Sequence, residues 1–231
     1  MNYILGTGYC HRPDVAKAEQ LWALWRTNTD TATPSPRRIV VMAVGGAVPP
    51  EPTSPDMDVI RLSGNLGHIH HLIGKELPYK PYGLSGWSAS VLALALIAYN
   101  DEADLLYKEA DCLAFGPWVA QMYGDLAGGD IVFGGPMKSD PWMSSTQSLF
   151  LVRHKAIIPF VAKYLGFGND SETLLPEDKF ARLGESPQPM DVRHLSFGVD
   201  RERPIPFDAP VFYVQQPTDG DFESLRQLQL I

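Results

Sequence analysis

The sequence lacks several features that would place it in a common class. Of its 231 residues two are cysteines, and Cys10 and Cys112 lie too far apart to suggest a disulfide framework or a metal-binding spacing. The most apolar run, Val91 to Tyr99, is shorter than the roughly 20 residues that a membrane-spanning helix needs. The amino terminus has no signal-peptide pattern. We therefore expect a soluble, cytoplasmic protein without a transmembrane segment.

Basic charge and several nucleotide motifs are also scarce. The formal net charge is −8 at pH 7, which argues against a nucleic-acid partner because such partners need a basic face. A nucleotide ligand stays possible, since a metal ion can bridge acidic residues and phosphates. No P-loop and no nucleophile elbow of a serine hydrolase occur. The glycine fingerprint of dinucleotide folds is incomplete, because Cys10-His11 stands where its third glycine would be.

The elements that are present alternate between strands and helices, which predicts one α/β domain with a largely parallel sheet in its first half. One helix, ending at Tyr99, is apolar all round, and this is typical of a core helix. Strands are predicted at residues 3–5, 39–44, 59–62, 104–107, 131–133, 147–152, 192–197 and 211–214. Helices are predicted from Pro13 and at residues 85–99, 118–123, 156–165, 176–183 and 219–228.

Two carboxylates follow the strand at Asp104–Tyr107. Glu109 and Asp111 are separated by Ala110, and an apolar tail, Cys112 to Phe115, follows them. Burying an unpaired carboxylate costs several kcal/mol, so a pair at the end of a buried strand needs a partner. A divalent cation with oxygen ligands is one such partner, and ligands of open α/β sheets bind at this edge. The alternative is an exposed turn with solvated acids.

The first strand leads into Gly6-Thr7-Gly8-Tyr9. Glycines let a ligand approach the backbone closely, Thr7 offers a hydroxyl, and Tyr9 offers a ring on which a base can stack. This segment suits a nucleotide loop, and it also suits a plain tight turn.

The histidines allow more than one interpretation. His68, His70 and His71 resemble part of a zinc site, but no cysteine or further carboxylate lies near them in sequence, so surface or outer positions are favoured. His154 follows a strand and Arg153, where it would contact phosphate or cap a helix. His194 lies in a late strand and is either a core histidine or a metal ligand.

Acidic and aromatic residues in the second half supply two further candidates. Glu177 and Asp178 begin a short helix, where acids are often only matched to the helix dipole. A carboxylate there would otherwise serve as a general base toward an acceptor hydroxyl. Trp142 lies in a polar loop that would leave its ring available to stack on a sugar.

The order of these features resembles that of the nucleotide-sugar glycosyltransferases with the GT-A fold. The resemblance covers Tyr3 to about Leu195 and rests on a nucleotide loop, a buried helix and a strand that ends in an acid-x-acid motif. That motif usually reads Asp-x-Asp in the family, and here it is Glu109-Ala110-Asp111. The segment PEDKF resembles the motif that supplies the catalytic base of inverting members, and His194 stands where many members have a late histidine.

The resemblance implies a single GT-A-like domain, with a mixed, mostly parallel central sheet flanked by helices. Residues 1–116 would bind the donor, and residues 117–231 the acceptor. The implied activity is metal-dependent transfer of a hexose from a UDP- or GDP-type sugar to an acceptor hydroxyl, with inversion. The implied metal is Mn²⁺ or Mg²⁺ on Glu109, Asp111 and His194, and the implied catalytic residues are Asp178 and Glu177. The implied donor residues are Thr7, Gly8, Tyr9, Arg12, Arg61, Ser63, Asn65 and Ala110, and the implied acceptor residues are Trp142 and His154.

Three other classes share part of this pattern. A sugar nucleotidyltransferase uses the same sheet and metal but would have a first loop of the GxGTR kind, of which GTGYCHR is a poor copy. A nucleotide- or sugar-binding module would need no base. A redox enzyme on a Rossmann sheet would need the missing glycine and an acidic residue for the ribose. The sugar, the base, the acceptor and the oligomeric state are left open.

Overall fold

The structure is a computed structural model that describes residues 1–10, 15–44, 57–62, 86–135, 145–168, 175–197 and 203–231. Its strands are β1 (Tyr3–Cys10), β2 (Arg38–Val44), β3 (Met57–Leu62), β4 (Asp104–Lys108), β5 (Cys112–Phe115), β6 (Ile131–Gly134), β7 (Thr146–Val152), β8 (Val192–His194) and β9 (Phe212–Gln215). Its helices are α1 (Val15–Asp30), α2 (Gly86–Asn100), α3 (Trp118–Leu126), α4 (Ile157–Gly166), α5 (Pro176–Ala181) and α6 (Asp219–Gln227), with a 3₁₀ turn at His154–Ala156.

A mixed seven-stranded sheet runs through these residues in the order β3-β2-β1-β4-β7-β6-β8. Strand β7 is antiparallel to both β4 and β6, while the other described pairings in this sheet are parallel. The carboxyl ends of β1–β4, β6 and β8 therefore share one edge with the amino end of β7. We call this the carboxyl edge. The predicted α/β fold with a mostly parallel central sheet is confirmed.

Helices cover both faces of the sheet, and each face has its own apolar core. One core joins the sheet to α1, α3 and α6 through side chains such as Trp25, Trp118 and Leu225. The other joins it to α2, α4 and α5 through side chains such as Leu94, Phe160 and Phe180. Strands from residues 1–116 and from residues 117–231 lie in the same sheet. The proposed division into donor and acceptor halves stays a prediction.

Strand β1 is longer than the sequence predicted. We expected a loop from Gly6, but residues through Cys10 pair in parallel with β2, ending at Cys10 opposite Val44. The loop prediction was wrong because the glycine serves packing: a Cβ on Gly6 would lie 2.9 Å from the Leu94 Cδ1 atom. The absent side chain lets α2 approach the strand closely.

Helix α2 differs from the expected core helix on its outer face. Its inner side is buried through residues such as Val91 and Leu94, but Leu96 is 48% exposed and Tyr99 is 45% exposed. All-round hydrophobicity therefore did not mean all-round burial. No helix in the described segments has the length and apolar character needed to cross a bilayer.

A second, two-stranded sheet pairs β5 with β9 in antiparallel register, from Cys112 opposite Gln215 to Phe115 opposite Phe212. Gly116 ends β5 with a φ of +74°, and a Cβ there would lie 2.0 Å from the Pro210 carbonyl oxygen. The sequence predicted the two apolar segments but not their pairing. This small sheet fixes the chain that leaves the acid-x-acid motif.

Candidate active site

The acid-x-acid motif forms a turn at the carboxyl edge, between β4 and β5. The Glu109 amide donates to the Ser148 carbonyl of β7 at 2.8 Å, and the Cys112 amide donates to the Glu109 carbonyl at 2.9 Å. The Gln216 amide donates to the Asp111 carbonyl at 3.0 Å. The backbone of the turn is therefore held by both sheets, as a rigid carrier for its carboxylates.

The Glu109 carboxylate is oriented by two neutral donors. Trp87 Nε1 donates to Oε1 at 2.8 Å, and Gln215 Nε2 donates to Oε2, also at 2.8 Å. Hydrogen bonds of this kind orient carboxylates that bind metals in other proteins.

Asp111 is 3% exposed, at the other end of the same turn, and Ala110 between the acids is half-buried against the core of the α1 face. The structure therefore excludes the fully solvated turn that was the alternative at the sequence level. Two acidic groups, one of them buried, stand at the edge where ligands of α/β sheets bind.

Lys108, the residue before Glu109, lies on the face of the sheet that α1 and α3 cover, whereas Trp87 lies on the other face. Its fully buried ammonium donates to Asn28 Oδ1 at 2.9 Å and lies over the rings of Trp25 at 4.9 Å and Trp118 at 5.6 Å. Burial lowers the pKa of Lys108 to about 7, although the charges of Cys112 and Asp30 act to raise it. No pattern in the sequence indicates that the lysine at the end of β4 is buried.

The predicted catalytic acids lie at the same edge. Helix α5 begins at Pro176, and the Ser145 hydroxyl, one residue before β7, donates to the Glu177 carbonyl at 2.6 Å. Phe180 of α5 contacts the Trp87 ring edge-on, with 5.9 Å between centroids. Asp178 Oδ2 accepts the Leu175 amide at 3.0 Å, so this carboxylate also caps its own helix. Trp87 thus connects α5 to the acid-x-acid turn.

The predicted donor residues of β1 occupy different environments. Gly8 is half-buried and faces α2: a Cβ there would lie 3.4 Å from the Tyr107 hydroxyl and 3.6 Å from Ser90. Tyr9 is half-buried and packs edge-on against Trp22 at 5.0 Å. Thr7 is fully buried inside the strand, and its hydroxyl has no hydrogen-bond partner within the described segments. Gly8 and Tyr9 are thus more exposed than Thr7.

Two other predicted residues lie farther along the carboxyl edge. Arg61 is exposed near the end of β3, and β3 is three places from β4 on one side. His194 is exposed at the end of β8, three places away on the other side. At about 4.8 Å per strand, each lies about 14 Å from the β4 axis. The core-histidine interpretation of His194 is wrong, because the side chain is exposed.

His154 lies at the opposite edge of the sheet. Its amide donates to Asp104 Oδ1 at 2.7 Å, at the amino end of β4, and its ring stacks on Tyr99 at 5.2 Å. The structure does not bring it together with the acid-x-acid turn. The predicted residues Arg12, Ser63, Asn65 and Trp142, and the histidines His68, His70 and His71, lie outside the described residues.

Trp87 and Gln215 are site residues that sequence reasoning missed. Gln215 is the last residue of β9, an otherwise apolar strand, 106 positions from Glu109, and Trp87 lies near the start of an apolar helix. The only signal for Trp87 is that the helix bearing it feeds directly into β4. No local pattern points to Gln215.

A divalent cation is implied by the fold, and the donor set can be tested against it. In the described part of the chain, no group of three or more His, Cys, Asp or Glu side chains could hold a metal. Mg²⁺ is commonly held by one or two carboxylates, with substrate phosphates and water completing its shell. Glu109 and Asp111 fit that pattern, since both offer hard oxygen donors on a rigid turn.

Comparison of the fold with solved structures places it beside the glycosyltransferase LgtC. An active-site variant of LgtC superposes with a TM-score of 0.57 and 12% identity, over 93% of this chain and 87% of that chain. The galactosyltransferase LgtC in complex with donor and acceptor sugar analogues gives 0.56 and 11%, over 94% and 87%. No protein-family model and no curated protein matches the sequence. The chain therefore has a GT-A-like fold, as its sequence predicted.

Proposed function

We propose that this protein is a glycosyltransferase that moves a hexose from a UDP- or GDP-type sugar to an acceptor hydroxyl. The observation that carries the proposal is the rigid acid-x-acid turn at the carboxyl edge of a GT-A-like sheet. A structure with this fold, LgtC, has been solved with donor and acceptor sugar analogues. The position of the two acids at the carboxyl edge, together with the GT-A-like fold, supports a nucleotide-sugar donor.

Glu109 and Asp111 would hold Mn²⁺ or Mg²⁺. When bound, such an ion offsets the negative charge of the donor diphosphate. The protein's own contribution is orientation: Trp87 and Gln215 fix the Glu109 carboxylate, and the hydrogen bonds of the turn fix the spacing of the two acids. Gly8 and Ala110 would let the donor approach the backbone, and Tyr9 would contact its nucleoside.

Asp178 is the proposed general base, with Glu177 as the second candidate. The acceptor oxygen bonds to the anomeric carbon as Asp178 takes the acceptor proton. The bond from that carbon to the diphosphate oxygen breaks, and the nucleoside diphosphate leaves. Attack from the face opposite the leaving group inverts the anomeric centre. Helix α5 contacts Trp87 through Phe180 and the start of β7 through Ser145. These contacts support a position of Asp178 beside the donor.

The first test is thermal unfolding with nucleoside diphosphates and sugar nucleotides, with and without Mn²⁺. A ligand that binds the folded state at about a hundred times its dissociation constant adds roughly 2.7 kcal/mol. We expect one base to give a stabilisation that requires metal and is lost in Asp111→Asn. Glu102→Gln is the matched control, because it removes an exposed acid at the amino end of β4. Absence of any nucleotide effect with metal present contradicts the proposal.

The role of Asp178 needs a separate measurement. Asp178→Asn keeps an oxygen that accepts the Leu175 amide, so the helix cap survives while the base is lost. We expect kcat for transfer to fall about 10²–10⁴-fold, with the donor KM and the metal-dependent thermal shift unchanged. Retention of the anomeric configuration in the product, read by NMR, would rule out the single-step inverting mechanism.

A further inference from the structure

The outer surface of α2 and α4 is unusually apolar. Leu96 and Tyr99 on α2 are 48% and 45% exposed, and Ile158 and Leu165 on α4 are 43% and 49% exposed. These four side chains define what we call the α2–α4 face. Single exposed apolar residues are ordinary, but a contiguous group of them marks an interaction surface.

The four residues form one surface because the two helices lie side by side. Near one end of the pair, the Ser88 and Tyr164 hydroxyls are 2.7 Å apart. Near the other end, the Tyr99 ring stacks on His154, just before α4. The helices are therefore antiparallel. Residues three or seven positions apart share one side of a helix, so each helix contributes a stripe, and the stripes are adjacent.

Among the residues that the structure describes, charge is confined to the rim of this face. Helix α2 has no charged residue along its 15 positions, and α4 has Lys163 alone. The Lys163 ammonium is directed to backbone carbonyls of another segment, including that of Gln188 at 3.2 Å. Exposed Glu102 and Lys155 stand near the Tyr99 end. An apolar centre with a polar rim is the usual anatomy of a protein–protein interface.

We propose that the α2–α4 face is the interface of a twofold homodimer. A twofold axis places a surface against its own copy, so a charged centre would meet like charge, and an uncharged centre avoids this repulsion. The same charge pattern disfavours a lipid surface. Helices that lie on anionic membranes carry Lys and Arg on their polar side, whereas this chain has a net charge of −8.

The dimensions of the face suit this partner. At 1.5 Å per residue, α2 and α4 are about 22 and 15 Å long, and packed helices lie about 8–10 Å apart. Two such faces would pack as four helices and bury several hundred Å² per chain. That approaches the roughly 800 Å² per partner of a standard interface. Leu96 and Ile158 would provide contacts between Tyr99 at one end of the face and Leu165 at the other.

The test is sedimentation velocity of the full chain from about 0.5 to 200 µM, a range that brackets micromolar dimer affinities. We expect a dimer that Leu96→Glu converts to a monomer, with a dissociation constant raised at least about a hundredfold, because an unpaired carboxylate would be buried. Leu228→Glu is the matched control. Leu228 is 49% exposed but lies just after α6, away from the face, so this variant should remain dimeric.

Leu165→Glu, on the other helix, repeats the test if Leu96→Glu does not fold by circular dichroism. The wild-type unfolding temperature should also rise with protein concentration, as mass action requires for a dimer. A wild-type protein that stays monomeric at 200 µM would overturn the proposal. So would equal disruption by Leu228→Glu, or a monomer that floats with anionic vesicles and loses this binding in Leu96→Glu.

Discussion

The two ends of β4 carry acidic groups that the fold treats differently. At the amino end, Asp104 accepts the Tyr123 hydroxyl at 2.8 Å and the His154 amide at 2.7 Å, with Arg153 at 3.8 Å. At the carboxyl end, Glu109 is oriented by the neutral side chains of Trp87 and Gln215. A guanidinium offsets the charge of a carboxylate, whereas the N–H groups of tryptophan and glutamine fix its direction.

The difference separates an acid that ties elements together from an acid that we propose as a metal ligand. Asp104 joins β4 to α3 and to the segment before α4, so its loss should appear as lost stability. Glu109 is held at the ligand-binding edge, so its loss should appear as lost metal-dependent binding and activity. Substitutions at Asp104 and Glu109, at the two ends of β4, test whether the two acids have these different roles.

The largest effect is expected for Glu109→Gln. Glutamine keeps the shape of the side chain but removes the charge. Losing a metal-binding charge removes several kcal/mol of transition-state stabilisation, so the rate should fall about a hundredfold or more. The measurement is the initial rate of nucleoside diphosphate release from the donor identified by thermal shift. Glu102→Gln should retain wild-type activity. Equal losses of activity in both variants would contradict a specific role for Glu109.

A smaller effect is expected for Trp87→Phe. This change removes the N–H that orients Glu109 but keeps a ring against Tyr107 and Phe180. The metal-dependent affinity for the nucleotide should fall about 10–100-fold, as for outer partners of metal ligands. Titration calorimetry with Mn²⁺ measures it. Trp118→Phe is the control: its buried indole N–H has no partner among the described residues, so the change should lower stability without lowering affinity.

At the other end, Asp104→Ala should change stability alone. It leaves the Tyr123 hydroxyl and the His154 amide without their acceptor, which costs about 1–3 kcal/mol. Urea unfolding followed by fluorescence measures the loss, and the metal-dependent thermal shift should persist. Asp58→Ala removes an exposed partner of Arg38 and should cost at most about 1 kcal/mol. A greater loss at Asp58 than at Asp104 would contradict the assignment.

The smallest effect concerns acid stability through Asp221, a second acid held by a guanidinium. Burial alone would raise its pKa, but hydrogen bonds from Arg203 and Thr218 lower the pKa of Asp221 overall. Its contribution to stability is therefore present above the ordinary aspartate pKa of about 3.9 and is lost as the pH falls through the lowered value. Unfolding free energies between about pH 5 and 2 should decline less steeply in Asp221→Asn. Parallel declines would contradict this.

Much of the fold was predictable because its strands are short apolar runs bounded by turn residues. Local patterns also placed Glu109 and Asp111 at the end of β4. The predictions from these patterns were wrong where the same residue type occurs in two different structural settings. Gly6 reads as a loop glycine, but it admits Leu94 of α2. Leu96 reads as a core residue, but it is 48% exposed, because a helix that is apolar on all sides does not show in its sequence which side is buried.

The rest of the site depends on contacts that sequence does not display. Gln215 reaches Glu109 only because β9 pairs with β5, and nothing near Gln215 in the sequence announces that pairing. Trp87 reaches Glu109 because α2 packs on the sheet with its amino-terminal end near the carboxyl edge. Such orienting residues come from distant segments and follow no motif, so they become visible only when the fold is known.

The buried ammonium of Lys108 has a consequence for protein engineering. Replacing a buried ionisable group by a well-packed apolar side chain of similar volume is often neutral or stabilising. A library randomised at position 108 and selected for heat resistance alone should therefore discard the lysine in favour of methionine or leucine. In the selected variants an apolar side chain would support the Glu109 turn. Their kcat would show whether heat resistance gained at position 108 lowers activity.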